Sequence, residues 1–238
     1  MRASIVVLFF CSPLFTIAQT DEPLKSWPKL DAAVEPQISI ANPINEFAQT
    51  DTLDRILFGL GGALMAPVLH NSPMRLGLSI RYFWSGRESR RVDLVDSNGD
   101  EFELESKVRG SMVPVHVHLR IDPMNNIDFP ILPYLGGFGG MRFFGTDNKI
   151  TYDYQDGSEP HVEHNRQVSV TYSYGIELGL HIRIGGAILD FRYERAYGGT
   201  AKYLDMSSVE FDGAQASYNR LETRTDVEIY SFGIVITI

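Results

Sequence analysis

The sequence predicts an all-β chain, folded as one eight-stranded antiparallel up-and-down barrel whose strands cross a lipid bilayer. Three observations predict it: one long stretch of strict two-residue alternation, several further stretches of the same period, and connections that alternate between short and long. The clearest stretch is 168–184, VSVTYSYGIELGLHIRI. Val168, Val170, Tyr172, Tyr174, Ile176, Leu178, Leu180, Ile182 and Ile184 share one face, and Ser169, Thr171, Ser173, Gly175, Glu177, Gly179, His181 and Arg183 share the other, because successive side chains of a strand point to opposite sides. Strands of soluble sheets usually run five or six residues, whereas a tilted strand needs about 9–11 to cross a bilayer.

Eight segments carry this reading, in chain order. The first is 34–42, where Ile38 and Ile40 alternate with Gln37, Ser39 and Ala41; Pro36 and Pro43 suit an edge or a strand start. Residues 55–68 are glycine-rich but have strand length. In 74–84, Leu76, Leu78, Ile80, Tyr82 and Trp84 oppose Arg75, Gly77, Ser79 and Arg81. In 112–121, Val113, Val115, Val117, Leu119 and Ile121 oppose Pro114, His116, His118 and Arg120. Residues 131–144 resemble 55–68 in their glycines and looser phase. After 168–184, only Gly185 and Gly186 precede 187–195, where Leu189, Phe191 and Tyr193 oppose Asp190, Arg192 and Glu194, which predicts a tight hairpin. The last strand is 226–238, with Tyr230, Phe232, Ile234, Ile236 and Ile238 on one face.

The connections 69–73, 122–130 and 185–186 are short, while 85–107, 145–166 and 196–225 are long and polar. That alternation places both termini at the short-turn end, as in outer-membrane barrels, whose periplasmic turns are short and whose external loops are long.

The N-terminus reads as an export leader: Arg2, an apolar run from Ile5 to Phe10, a break at Pro13, then Thr16, Ile17 and Ala18. Residues 1–18 are therefore expected as a cleaved signal peptide, 19–33 as a periplasmic segment and 34–238 as the barrel domain. The single cysteine, Cys11, lies inside the leader, so the mature chain carries no disulfide; Phe10 before it is too large for a lipid-attachment motif. A net charge of -9 and the absence of any Lys/Arg-rich run argue against a nucleic-acid partner. Beyond the leader there is no 18-residue apolar run, so any crossing must use a closed barrel.

On these strands, and on the C-terminal octapeptide SFGIVITI, the chain resembles the small bacterial outer-membrane β-barrel proteins, the group of the OmpA transmembrane domain and OmpW-like barrels. The resemblance covers nearly the whole mature chain. It implies a barrel-assembly signal carried by Ser231, Gly233, Ile236 and Ile238, although Ile238 stands where an aromatic is common. It also implies outer-membrane lipid and the barrel-assembly machinery as partners.

Alternation alone does not say which face is outside. A soluble periplasmic barrel of lipocalin type would turn the apolar faces inward around a ligand. The inverted arrangement is favoured by the small residues on the polar faces and by the loop alternation. Tyr82, Trp84, Phe143, Tyr172, Tyr174, Phe191 and Tyr193, expected towards the long-loop ends, fit a membrane interface.

With polar faces inward, the lumen collects Arg75, Arg81, His116, His118, Arg120, Arg142, Glu177, His181, Arg183, Asp190, Arg192 and Glu194. Eight strands leave room for little more than these side chains, so a paired network that fills the lumen is the expectation. A narrow arginine-lined pore is the alternative. His116 and His118 share a wall, but no cysteine or carboxylate triplet accompanies them; no metal, no cofactor and no catalytic residue is expected, and no serine pairs with the histidines in a short motif.

The segment 94–105 has the glycine and terminal glutamate of a calcium loop, Gly99 and Glu105, but Leu94 occupies its first ligand position. The flanks 91–95 and 101–104 alternate as strands, so Asn98 and Gly99 read better as a hairpin turn that extends two strands above the membrane. Glu159, His161, Glu163 and His164 read as a solvated loop, and the glycines at 59–62 and 136–140 as close-packed strand rather than phosphate loops. The function expected is a non-enzymatic membrane scaffold, adhesin or accessory envelope subunit that binds an extracellular or envelope protein through its loops. A small-solute channel or transporter and a soluble binding barrel are the alternatives.

Overall fold

A computed structural model describes residues 32–49, 56–69, 72–95, 101–123, 129–154, 160–184, 186–204, 210–212, 215–217 and 220–238. The expected leader and nearly all of the periplasmic segment lie outside the described residues, as does the turn at Asn98 and Gly99.

In chain order the strands are β1 (Ala33–Pro43), β2 (Leu57–Pro67), β3 (Met74–Val95), β4 (Glu101–Ile121), β5 (Ile131–Tyr154), β6 (His161–Ile184) and β7 (Ala187–Gly198). The short β8 (Thr200–Leu204), β9 (Glu210–Asp212), β10 (Gln215–Ser217) and β11 (Arg220–Arg224) follow, and β12 (Val227–Thr237) ends the series. β1 through β7 and β12 form one closed antiparallel ring, while β8 with β11 and β9 with β10 make two small ribbons.

Closure depends on β1, the segment with two prolines. It pairs on one side with β2 and on the other with β12, so Ile38 lies opposite both Leu60 and Phe232. Ser39 and Ser231, 192 residues apart, share a buried hydrogen bond of 2.8 Å across the seam. Pro36 has no N–H to donate, and the seam accommodates it.

The two faces have opposite chemistry. Leu64, Leu78 and Val117, neighbours on β2, β3 and β4, are 55%, 50% and 52% exposed. Ile38, Leu60, Ile80, Leu119, Leu135, Ile176, Leu178, Ile234 and Ile236 are exposed in the same way. The arginines of the alternate positions are buried. Water would not tolerate so continuous an apolar belt on a soluble monomer, and hydrocarbon requires it. The barrel is therefore a transmembrane one, and the soluble ligand-binding alternative, which needs the apolar face inward, is overturned.

Two sequence expectations are corrected. The connection 145–166 is mostly strand, β5 and β6 continuing past the membrane as a paired ribbon to Tyr152 opposite His161; in 85–107 the strands expected at 91–95 and 101–104 are present and run on without a break into β3 and β4, paired to Val95 opposite Glu101. The outward positions there turn polar because water, not lipid, surrounds them, while Phe102, Leu104, Val108, Ile150 and Tyr152 stay buried on the other face. Phe191 is the exception among the interface aromatics. As the fifth residue of β7 it lies on the short-turn half, with its ring 4.8 Å from that of Phe232. Tyr82 and Trp84 pack edge to face at 5.1 Å near the long-loop end.

Candidate functional site in the barrel interior

All twelve residues expected in the lumen are buried, each placed there by the inward phase of its strand. The interior is layered. At the short-turn end Ala33, Leu132, Ile188 and Val235 form an apolar floor. Towards the other end Leu57, Phe83, Met112, Phe138 and Phe144 form an apolar roof with Phe47, which sits on a short 3-10 helix, Asn45–Gln49, and meets Phe144 at 5.8 Å. Asn45 opens that helix with φ of 56°, a left-handed conformation that asparagine tolerates. Its amide donates to Asp226 at 2.9 Å, while the other carboxylate oxygen of Asp226 accepts from the Gly198 backbone N–H at 3.0 Å. One aspartate thus ties the first loop to the tops of β7 and β12.

Between floor and roof lies a charged layer. Among the described residues the buried charges are six arginines, at 75, 81, 120, 142, 183 and 192, and six carboxylates, at 35, 122, 177, 190, 194 and 226. Equal numbers matter because an unpaired buried charge is costly. Glu35 accepts from Arg120 at 3.0 Å and from Arg192, and Arg75 stands 3.9 Å away. Arg192 also donates to Asp190 at 2.9 Å, and Arg81 donates to Glu194 at 2.6 Å. The Tyr134 hydroxyl donates to Asp190 at 2.6 Å and accepts from Arg192 at 3.1 Å, with the Arg120 guanidinium 4.0 Å over its ring. Arg142 donates to Ser173 at 2.9 Å and to the Thr225 carbonyl.

Glycine makes the room. A Cβ at Gly136 would lie 2.6 Å from the Leu119 carbonyl and 2.7 Å from a carboxylate oxygen of Glu177, so the loose phase of β5 reflects space for the carboxylate.

The histidines divide. His181 lies 3.4 Å from Asp190. His116 stacks on Phe138 at 4.7 Å. His118 joins two partners, its Nδ1–H donating to Glu177 at 3.0 Å and its Nε2 accepting from the Ser79 hydroxyl at 2.7 Å. The sequence offers no short motif that pairs a serine with these histidines, and this pairing arises between strands. Ser79 stands 39 residues from His118 in sequence, and only β3–β4 pairing opposes Ser79 to His116, one inward step from His118. The order serine, histidine, carboxylate is that of a nucleophile triad, but Ser79, His118 and Glu177 are all buried. Ligand atoms of His118, Glu177 and Glu194 also come within 4.8 Å of one another. Arg120 and Arg81 already bind the two carboxylates, and a cation there would sit among guanidinium groups, so the residues do not fit a metal.

Sequence reasoning missed Glu35, Asp122, Tyr134 and Ser79 as partners. For Glu35 the signal was present: the inward phase of Gln37 and Ser39 extends one step back to position 35.

Above the membrane, the ribbon of β3 and β4 carries its own charges. Glu105 is held below the usual carboxylate range, first by the Lys107 ammonium and then by Arg91, which donates at 3.1 Å. His161 and Glu163 lie 3.6 Å apart, both exposed; Glu159 lies outside the described residues.

A closed antiparallel ring with charge inside, lipid-compatible side chains outside, and the start of β1 and the end of β12 together on the short-turn side defines an integral β-barrel of the bacterial outer-membrane class. No family model and no curated sequence matches the chain. Among solved structures it is similar to Neisserial surface protein A (14% identity, 87% of this chain and 97% of that one, TM-score 0.41). It is also similar to a major outer membrane protein from Thermus thermophilus (12%, 86% and 98%, 0.42) and to the outer membrane protein OprG from Pseudomonas aeruginosa (12%, 89% and 99%, 0.43).

Proposed function

We propose that the protein is a non-conducting, non-enzymatic outer-membrane scaffold that presents its extended ribbons to the exterior, as an adhesin or as an accessory subunit of an envelope complex. The observation that carries this reading is the interior: among the described residues, buried arginines and carboxylates in equal number, between an apolar floor and an apolar roof. An ion crossing the lumen would have to displace paired guanidinium and carboxylate groups as well as both apolar layers. The ribbons supply the presenting surface, since ten residues of strand at about 3.3 Å each extend about 30 Å. The C-terminal strand, with Ser231, Gly233, Ile236 and Ile238, would engage the barrel-assembly machinery.

Planar-bilayer recording of the folded protein tests the reading. No conductance steps are expected. Steps whose ion selectivity changes on replacing Arg81 or Arg120 would favour the channel instead. A second test addresses the Ser79, His118 and Glu177 array. A serine-reactive fluorophosphonate is expected to leave Ser79 unmodified in the folded protein, because the hydroxyl is buried. Stoichiometric labelling lost in His118→Ala would make the array a catalytic one.

A further inference from the structure

Where β2, β3 and β4 leave the membrane, the outer wall carries a groove of about 780 Å3. Its lower wall is apolar, made by Ile56, Phe58, Tyr82 and Trp84, and its upper rim is made by Arg87 and Arg109. A bulge creates it. The β3–β4 register slips between Trp84 and Arg87, and Gly86 takes φ of 101°, a conformation that favours glycine. Gly86 and Gly110 line the groove, so no side chain of theirs fills it.

The rim is electrostatically unusual. Arg87 and Arg109 are directly opposed across the two strands, and like charges in that position repel. Asp147 is the β5 neighbour of Arg109 but is itself shared in register with Arg166. Among the described residues neither rim guanidinium makes a hydrogen bond or ion pair. The depth is also informative. Met74 to Trp84 uses the roughly 9–11 residues that a tilted strand needs to cross, so Arg87 and Arg109 stand at headgroup level with the aromatic wall in the acyl region just below.

We propose that this groove seats an outer-leaflet lipid bearing a phosphate headgroup, its acyl chain against Phe58, Tyr82 and Trp84 and its phosphate between Arg87 and Arg109. A phosphate there converts the repulsion into charge-assisted bonds, and the guanidinium fork matches phosphate oxygens. The apolar wall selects a lipid over free phosphate.

The test uses the folded full barrel, stripped of lipid in detergent and followed by native mass spectrometry. It is supplied in turn with bisphosphorylated lipid A, with the same lipid dephosphorylated, and with inorganic phosphate. Retention of the phosphorylated lipid is expected to exceed that of the other two and to fall about tenfold or more in R87A/R109A, whereas R91A, outside the groove, retains it. Equal retention of the dephosphorylated lipid, binding of free phosphate alone, or unchanged retention in the double variant overturns the proposal. A second measurement needs no change at the rim. With Trp27→Phe, Trp84 becomes the only tryptophan, and acyl-brominated lipid A at low mole fraction in phosphatidylcholine vesicles should quench it more than equally brominated phosphatidylcholine does. Equal quenching counts against the site.

Discussion

Replacing Glu35 by alanine is expected to destabilise the barrel by about 3–5 kcal/mol, the range for breaking a buried ion pair from one side. Glu35 sits at the junction of Arg120, Arg192 and Arg75, so its loss leaves three guanidinium groups facing one another at the base of the lumen. Arg192 keeps Asp190 and Arg120 keeps Glu177, which limits the damage to the β1 side. That side is the seam on which closure depends. The urea midpoint of the folded barrel in vesicles, read by the heat-dependent shift in gel mobility, measures the loss; Arg91→Ala, on the exposed ribbon, should leave the midpoint unchanged. A wild-type midpoint for Glu35→Ala would mean that the charged layer does not hold the seam closed.

Leu78→Arg is the second large effect, about 2–4 kcal/mol against insertion, as for arginine on a lipid face near the bilayer midplane. Leu78 lies mid-strand between Leu64 and Val117, all outward and apolar. An arginine there would enter hydrocarbon with no carboxylate neighbour, although arginines at positions 75 and 81 of the same strand are stable in the lumen. The residue type is the same, and its face decides the sign. Leu78→Phe should be tolerated. The folded fraction in vesicles reports the result, and a Leu78→Arg protein that folds in water without detergent would invert the assignment of inside and outside.

Legibility in the sequence followed how regular each strand is. In 168–184, and in 112–121 apart from Met112, large apolar residues alternate with small or polar ones, so the lower parts of β6 and β4 could be read residue by residue. β1 and β5 were harder for opposite reasons. Pro36 weakens β1 as a strand by its missing N–H, yet the residue beside it, Glu35, accepts from two arginines. In β5, Tyr134 and Phe138 face inward, where glycines on β6 leave them room, so the apolar residues fall on both faces and the period blurs. The ribbon of β5 and β6 above the membrane misled in another way: its outward residues turn polar when the strand's surroundings change from lipid to water, and 145–166 then looks like a loop.

The sequence by itself determined the period, the segments that cross the membrane, the end at which β1 begins and β12 finishes, and which side chains travel together on a face. Those are local properties, set by the two-residue repeat of the extended backbone. Tertiary structure decided the rest: that β1 closes the ring against β12, that the apolar face is the outer one, that Ser79 meets His118, and that Arg87 faces Arg109 across a bulge. Each depends on register between strands separated by tens to nearly two hundred residues. Alternation is unchanged when a face is turned in or out, or when a neighbour slides by two residues, so only pairing fixes the partners.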